Sequence, residues 1–90
     1  MLEVTAARYL GEFRILVRFS NGEEGVVDLA DALWGPMFEG LKDPAKFRRF
    51  EVSKLLHTLQ WENDADLAPE FLYQRMVEQQ NAPDRPAGLV

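Results

Sequence analysis

Residues 13–29, Phe13-Arg14-Ile15-Leu16-Val17-Arg18-Phe19-Ser20-Asn21-Gly22-Glu23-Glu24-Gly25-Val26-Val27-Asp28-Leu29, constrain the fold more than any other stretch of this chain. Phe13, Ile15, Val17 and Phe19 alternate with Arg14, Leu16, Arg18 and Ser20. That is the period of a strand with one apolar and one mostly cationic face. The following turn sets the register. A two-residue Asn21-Gly22 loop pairs Ile15 with Asp28, placing a carboxylate opposite a core isoleucine. A three-residue Ser20-Asn21-Gly22 loop pairs Ile15 with Val27 and Phe13 with Leu29. A one-residue slip turns every side chain to the other face, so the pattern selects the second loop. It is a type I turn with a bulge, and Gly22 takes the left-handed position.

The rest of the chain extends this hairpin. Leu2, Val4 and Ala6 alternate with Glu3, Thr5 and Ala7, which predicts a first strand ending in a turn over Tyr9–Glu12. With it the sheet is a three-stranded antiparallel meander. Asp31 is expected to cap a short turn through Ala32-Leu33-Trp34 that Gly35-Pro36 ends. Asp43-Pro44 predicts a helix start, with Phe47 and Phe50 on one face and Lys46, Arg48 and Arg49 outward. Glu51-Val52-Ser53 and His57–Trp61 predict a short second hairpin, and Asn63-Asp64 a turn. Pro69 opens a helix to about Gln79, with Leu72 and Met76 inward, joined by Phe71 and Tyr73. The expected class is α+β: a three-stranded meander plus a short second hairpin, packed with two helices. Residues 1–79 form the expected domain. Residues 80–90, with Pro83 and Pro86 and no periodicity, are an expected disordered tail.

Composition narrows the function classes. Ninety residues, 47% hydrophobic with six phenylalanines, suffice for one core and leave no room for a second. The absence of cysteine excludes disulfides, thiolate metal sites and a cysteine nucleophile. The first residues carry no signal-peptide pattern, and no apolar run approaches the ~18 residues of a membrane span. The expected location is the cytoplasm. A net charge of −5 disfavours non-specific nucleic-acid binding and suits a basic protein partner.

The chemical vocabulary is thin. Glu62, Asp64, Asp66 and Glu70 lack calcium-loop spacing, and they read as a turn with negative charge near a helix start. His57, the only histidine, cannot build a zinc site alone and reads as a strand residue on a solvated face. Ser20, Ser53, Thr5 and Thr58 suit strand and turn positions better than a triad. No catalytic, cofactor-binding or metal-binding residue is therefore assigned, and the chain is not read as an enzyme. Trp61 ends an alternating strand and reads as core. Trp34, beside Gly35-Pro36, is a candidate exposed hot-spot residue. Arg14 and Arg18 share an outward strand face able to dock an acidic group or phosphate. Arg8 groups with Arg14 and Arg18, and Lys46, Arg48 and Arg49 form the other cationic grouping. Trp34, Arg14 and Arg18 are the candidate partner-binding residues.

The order of segments resembles a known family. It runs from Leu16-Val17-Arg18-Phe19-Ser20-Asn21-Gly22 and Val27-Asp28-Leu29 to Phe38-Glu39-Gly40-Leu41-Lys42-Asp43-Pro44-Ala45-Lys46-Phe47. It closes with Trp61 and Asp66-Leu67-Ala68-Pro69-Glu70-Phe71-Leu72-Tyr73. Over residues 2–76 this is similar to the bacterial domain of unknown function family 2442. Ala68, a poor helix cap, and Glu62-Asn63, where the family favours a glycine turn, depart from its pattern. The resemblance implies a small α+β domain without an assigned activity. Some relatives continue into a helix-turn-helix domain, and others sit beside a second small protein in a toxin–antitoxin-like arrangement. This sequence closes without a helix-turn-helix pattern, so the expectation is against direct DNA binding. The expected function is a non-enzymatic binding or regulatory module that engages a protein partner, such as a co-encoded toxin-like protein, or a second copy of itself. The alternatives are a dimeric nucleic-acid-associated regulator and, last, a small hydrolase.

Overall fold

The computed structural model describes residues 1–80. Strands β1 (Val4–Gly11), β2 (Arg14–Phe19) and β3 (Glu24–Asp28) form an antiparallel sheet in the order β1-β2-β3. A 3-10 turn, Glu39–Lys42, leads into the one-turn helix α1 (Pro44–Phe47). Strands β4 (Glu51–Val52) and β5 (Leu59–Gln60) make a second, two-stranded sheet, and α2 (Pro69–Gln80) follows. This is the expected α+β class. Gln80 ends α2, and the remainder of the expected tail lies outside the described residues.

The central hairpin has the register that the apolar pattern selects. Ile15 lies opposite Val27, and the Leu29 N–H donates to the Phe13 carbonyl at 2.9 Å. Phe19 N–H donates to the Glu23 carbonyl at 2.8 Å and Gly22 N–H to the Phe19 carbonyl at 3.0 Å, closing a three-residue loop. Gly22 has φ +88°, as the bulged turn requires. The same turn recurs at Trp61–Ala65. Trp61 N–H donates to the Ala65 carbonyl and Asp64 N–H to the Trp61 carbonyl, both at 2.9 Å. Asn21 and Asn63 hold equivalent places, each side-chain oxygen accepting the N–H two residues on. The left-handed position of the second turn is Asp64, at φ +68°.

The core lies on the inner face of the three-stranded sheet. Val4, Ile15, Val17, Phe19, Val27 and Leu29 are buried there, in one cluster with Leu72 and Met76 of α2 and with Phe47, Leu59 and Trp61. Phe47 sits among the rings of Tyr9, Phe13, Phe50 and Trp61, with centroids 5.2–6.5 Å away. Gly25 lets α2 approach β3: a Cβ there would lie 2.7 Å from Met76 Sδ.

Six expectations are corrected. A bulge between Val4 and Ala6 shifts β1 by one residue, so Ala6 faces solvent while Ala7 and Tyr9 pack inward. That strand runs on to Gly11, and the turn narrows to Glu12-Phe13. Asp31 does not cap its turn. Asp28 Oδ1 accepts the Ala30 N–H instead, and Asp31 pairs with Arg75 of α2. The helix after Asp43 stops at Phe47, because Phe50 must turn back onto Trp61 before the chain enters β4 at Glu51. His57 lies before β5 at φ +57°, with its carbonyl accepting the Val4 N–H at 2.9 Å. Phe71 is 37% exposed under the Arg75 guanidinium rather than inward, whereas Tyr73 packs edge-on against Phe19.

Candidate functional site

The outer face of the three-stranded sheet is open. Strand alternation and register place Arg8 opposite Leu16, Ala6 opposite Arg18, Arg14 opposite Asp28, and Val26 opposite Leu16 on the other side. An antiparallel sheet commonly leaves one face to water. Here that face has an apolar centre, with Leu16 half-buried and Val26 42% exposed, ringed by Arg8, Arg14 and Arg18. The expected pair, Arg14 and Arg18, does share this face, about 13 Å apart along the strand. Arg8, grouped with them in the sequence, joins them across β1.

The face is polarised rather than uniformly cationic. Arg18 Nη2 lies 2.9 Å from Glu24 Oε1 on β3, both side chains well exposed. Such an exposed pair contributes little to stability, and it sets a carboxylate beside Arg18. Arg8 and Arg14 make no ion pair among the described residues. Glu24 and Asp28 line the β3 side.

The edge of β3 borders a groove of about 1020 Å³ lined by Arg14, Val26, Asp28, Asp31, Gln79 and Gln80, among others. Odd-numbered residues of β3 bond to β2, as the Phe19–Glu23 and Leu29–Phe13 bonds show. By antiparallel alternation, the backbone groups of Glu24, Val26 and Asp28 point outward. The side-chain amide of Gln79 takes both groups of Asp28: Oε1 accepts its N–H, and Nε2 donates to its carbonyl, each at 2.9 Å. Nothing in the periodicity of α2 marks Gln79 for this role.

Trp34 is 74% exposed on the connection after β3, next to buried Leu33. It makes no aromatic or cation–π contact among the described residues, and it does not line the β3 groove. The structure therefore does not join Trp34 to the arginine face.

The groups weighed for chemistry hold structure instead. Ser20 Oγ accepts the Glu3 N–H, and Ser53 Oγ accepts the Leu56 N–H. Thr5 donates to the Arg18 carbonyl and Thr58 to that of Leu67. His57 lies 3.9 Å from Glu3, with both side chains exposed. Glu62 pairs with Arg49 at 3.8 Å. Among the described residues, no three His, Cys, Asp or Glu gather into a group able to hold a metal ion. No helix of the described residues is long and apolar enough to cross a membrane.

The fold has a counterpart among solved structures. The crystal structure of "Putative DNA Binding Protein NE0471" from Nitrosomonas europaea ATCC 19718 superposes with a TM-score of 0.77 at 25% identity. The match covers 89% of this chain and 52% of that one, so the chain spans about half of that protein's length. No curated protein matches the chain. The family model described as "Protein of unknown function (DUF2442)" matches residues 4–78, and the chain belongs to that family.

Proposed function

We propose that this domain is a non-enzymatic docking module that binds a protein partner through the outer face and free edge of its three-stranded sheet. The observation that carries the reading is the composition of that face. An accessible Leu16–Val26 centre is flanked on one side by Arg8 and Arg14, which make no ion pair among the described residues, and on the other by Glu24 and Asp28. A mixed-sign rim around an apolar centre complements a protein surface. A polyphosphate backbone would gain at Arg8 and Arg14 but meet two carboxylates, one of them paired with Arg18. Trp34 is a second, separate candidate anchor.

The name of the Nitrosomonas europaea protein favours a second reading, a nucleic-acid-associated regulator using the same arginines. The readings separate in one experiment. Tagged domain and its Arg8→Glu/Arg14→Glu variant are used to recover partners from the native host, beside gel-shift titrations at physiological salt. The expected result is a stoichiometric protein recovered by the wild type and lost with the variant, with no DNA shift tighter than the roughly 10⁻⁴–10⁻⁶ M of non-specific binding. Tight DNA binding abolished by the variant, with no protein recovered, would reverse the order.

A further inference from the structure

Resting on the protein-docking reading, we infer that the partner engages by strand addition: an extended segment that presents basic, apolar and basic residues in succession on one face lies along the free edge of β3 as a fourth strand. The edge is short and incompletely satisfied. The outward N–H and C=O of Glu24 and Val26 find no hydrogen-bond partner among the described residues. The next outward residue, Asp28, is bonded on both groups by the carboxamide of Gln79. A carboxamide is chemically a peptide group. It donates and accepts at Asp28 as the peptide of a neighbouring strand would. The edge thus already holds one peptide-like ligand and leaves the two preceding positions open along the groove.

The side chains specify the occupant. An incoming strand sets alternate residues on the outer face beside Glu24, Val26 and Asp28. Opposite charges across a ladder stabilise and like charges destabilise, so a basic–apolar–basic pattern fits. Gly25 lies between them on the inner face, under Met76 and Gln80, which leaves room only for a small residue opposite. A second copy of this chain is a poor occupant. The one antiparallel register that pairs the whole of β3 with itself centres on Val26 and sets Glu24 opposite Asp28 twice. The same acidic edge that repels itself selects a basic strand, which both discourages self-association and gives specificity.

The test uses the full chain labelled with ¹⁵N and a blocked synthetic heptapeptide, the lysine–valine peptide, with valine at its centre, lysine two residues to either side and alanine elsewhere. Controls are a glutamate–valine version and a lysine–valine version with a central proline. The expected result is shift changes at Glu24, Val26 and Asp28 and slowing of Val26 amide exchange by tenfold or more at saturation. The proline and glutamate peptides should bind at least about tenfold more weakly. Gln79→Ala frees the backbone of Asp28 and lengthens the edge, so it should tighten lysine–valine binding about fivefold, the worth of one backbone hydrogen bond. A merely structural Gln79 would lower stability without tightening binding. Peptide binding that leaves Val26 exchange unchanged, or is indifferent to the central proline, overturns the proposal. So does no peptide binding at all, and so does a dimer whose Val26 amide is protected without peptide. A native partner whose capture depends on Arg8 and Arg14 but leaves Val26 exchange unchanged overturns strand addition alone. Failure to capture any protein overturns the docking reading instead.

Discussion

The indole N–H of Trp61 donates to the backbone carbonyl of Phe47 at 2.7 Å, inside the core. It ties the last turn of α1 to the strand end after β5, and it satisfies the one polar atom that a buried tryptophan brings with it. Trp61→Phe keeps the ring contacts with Phe38, Phe47 and Phe50 and removes only the donor and part of the ring. The loss should be about 1–3 kcal/mol, the cost of an unsatisfied buried acceptor, measured by urea denaturation. A change within experimental error would mean that the carbonyl finds water.

Gly22 has open space around its missing Cβ but a φ of +88°. Any cost of a side chain there is therefore backbone strain and not collision. Gly22→Val should destabilise by about 1–2 kcal/mol, and Gly22→Asn by clearly less, because asparagine tolerates the left-handed region. Equal losses for the two would point to a clash that the geometry does not contain.

Asp64 occupies the equivalent place in the second turn at φ +68°. Glycine relieves the left-handed strain, at a cost in unfolded-chain entropy that offsets part of the gain. Asp64→Gly should raise stability by up to about 1 kcal/mol, read as a higher denaturation midpoint. A lower midpoint would show that the Asp64 carboxylate has a role beyond the turn.

Tyr73 donates its hydroxyl to Glu23 Oε2 at 2.6 Å, linking α2 to the central hairpin. That hydrogen bond to the carboxylate, then partial burial, then the negative charge itself hold the phenol above its usual 10.0, slightly opposed by Asn21. A phenol held above its unfolded value stabilises the fold fully below about pH 10. The contribution disappears as pH rises through the folded-state value. Stability of the wild type should therefore fall above about pH 10 more steeply than that of Tyr73→Phe. Tyrosinate absorbance should show one of the two tyrosines titrating late, and Glu23→Gln should bring it back.

Millimolar calcium, magnesium, manganese or zinc should leave the melting temperature unchanged, since a specific site would raise it by mass action. A saturable rise that disappears in Asp64→Asn/Asp66→Asn would assign the 62–70 turn to a cation.

Where side chains repeat with a short period, the sequence was readable. The β2–β3 register, the burial of Leu72 and Met76, and the Asp43-Pro44 helix start all follow from local pattern. Features set by a shift or by distant partners were not. The bulge after Val4 reverses the facing of β1, so neither inward Ala7 nor outward Arg8 can be read from alternation. Asp31 looks like a cap until Arg75, 44 residues on, claims it. His57 reads as a strand residue because its left-handed backbone is set by bonds to Ser53 and Val4. Of the candidate surface, Arg14, Arg18 and accessible Trp34 were legible. The pairing of Arg18 with Glu24 needed the β3 register, and the Gln79 clamp gives no periodic signal.

The inner face of the meander is closed by the last described element, α2, and this matters while the chain is being made. The two tight turns let β1, β2 and β3 assemble from contacts close in sequence before α2 has emerged from the ribosome. Ile15, Val17, Phe19, Val27 and Leu29 are then fully covered only once Leu72 and Met76 arrive. Slow translation between Leu29 and Pro69 would prolong that exposure and favour aggregation, whereas quick passage would let α2 seal the sheet before another chain can.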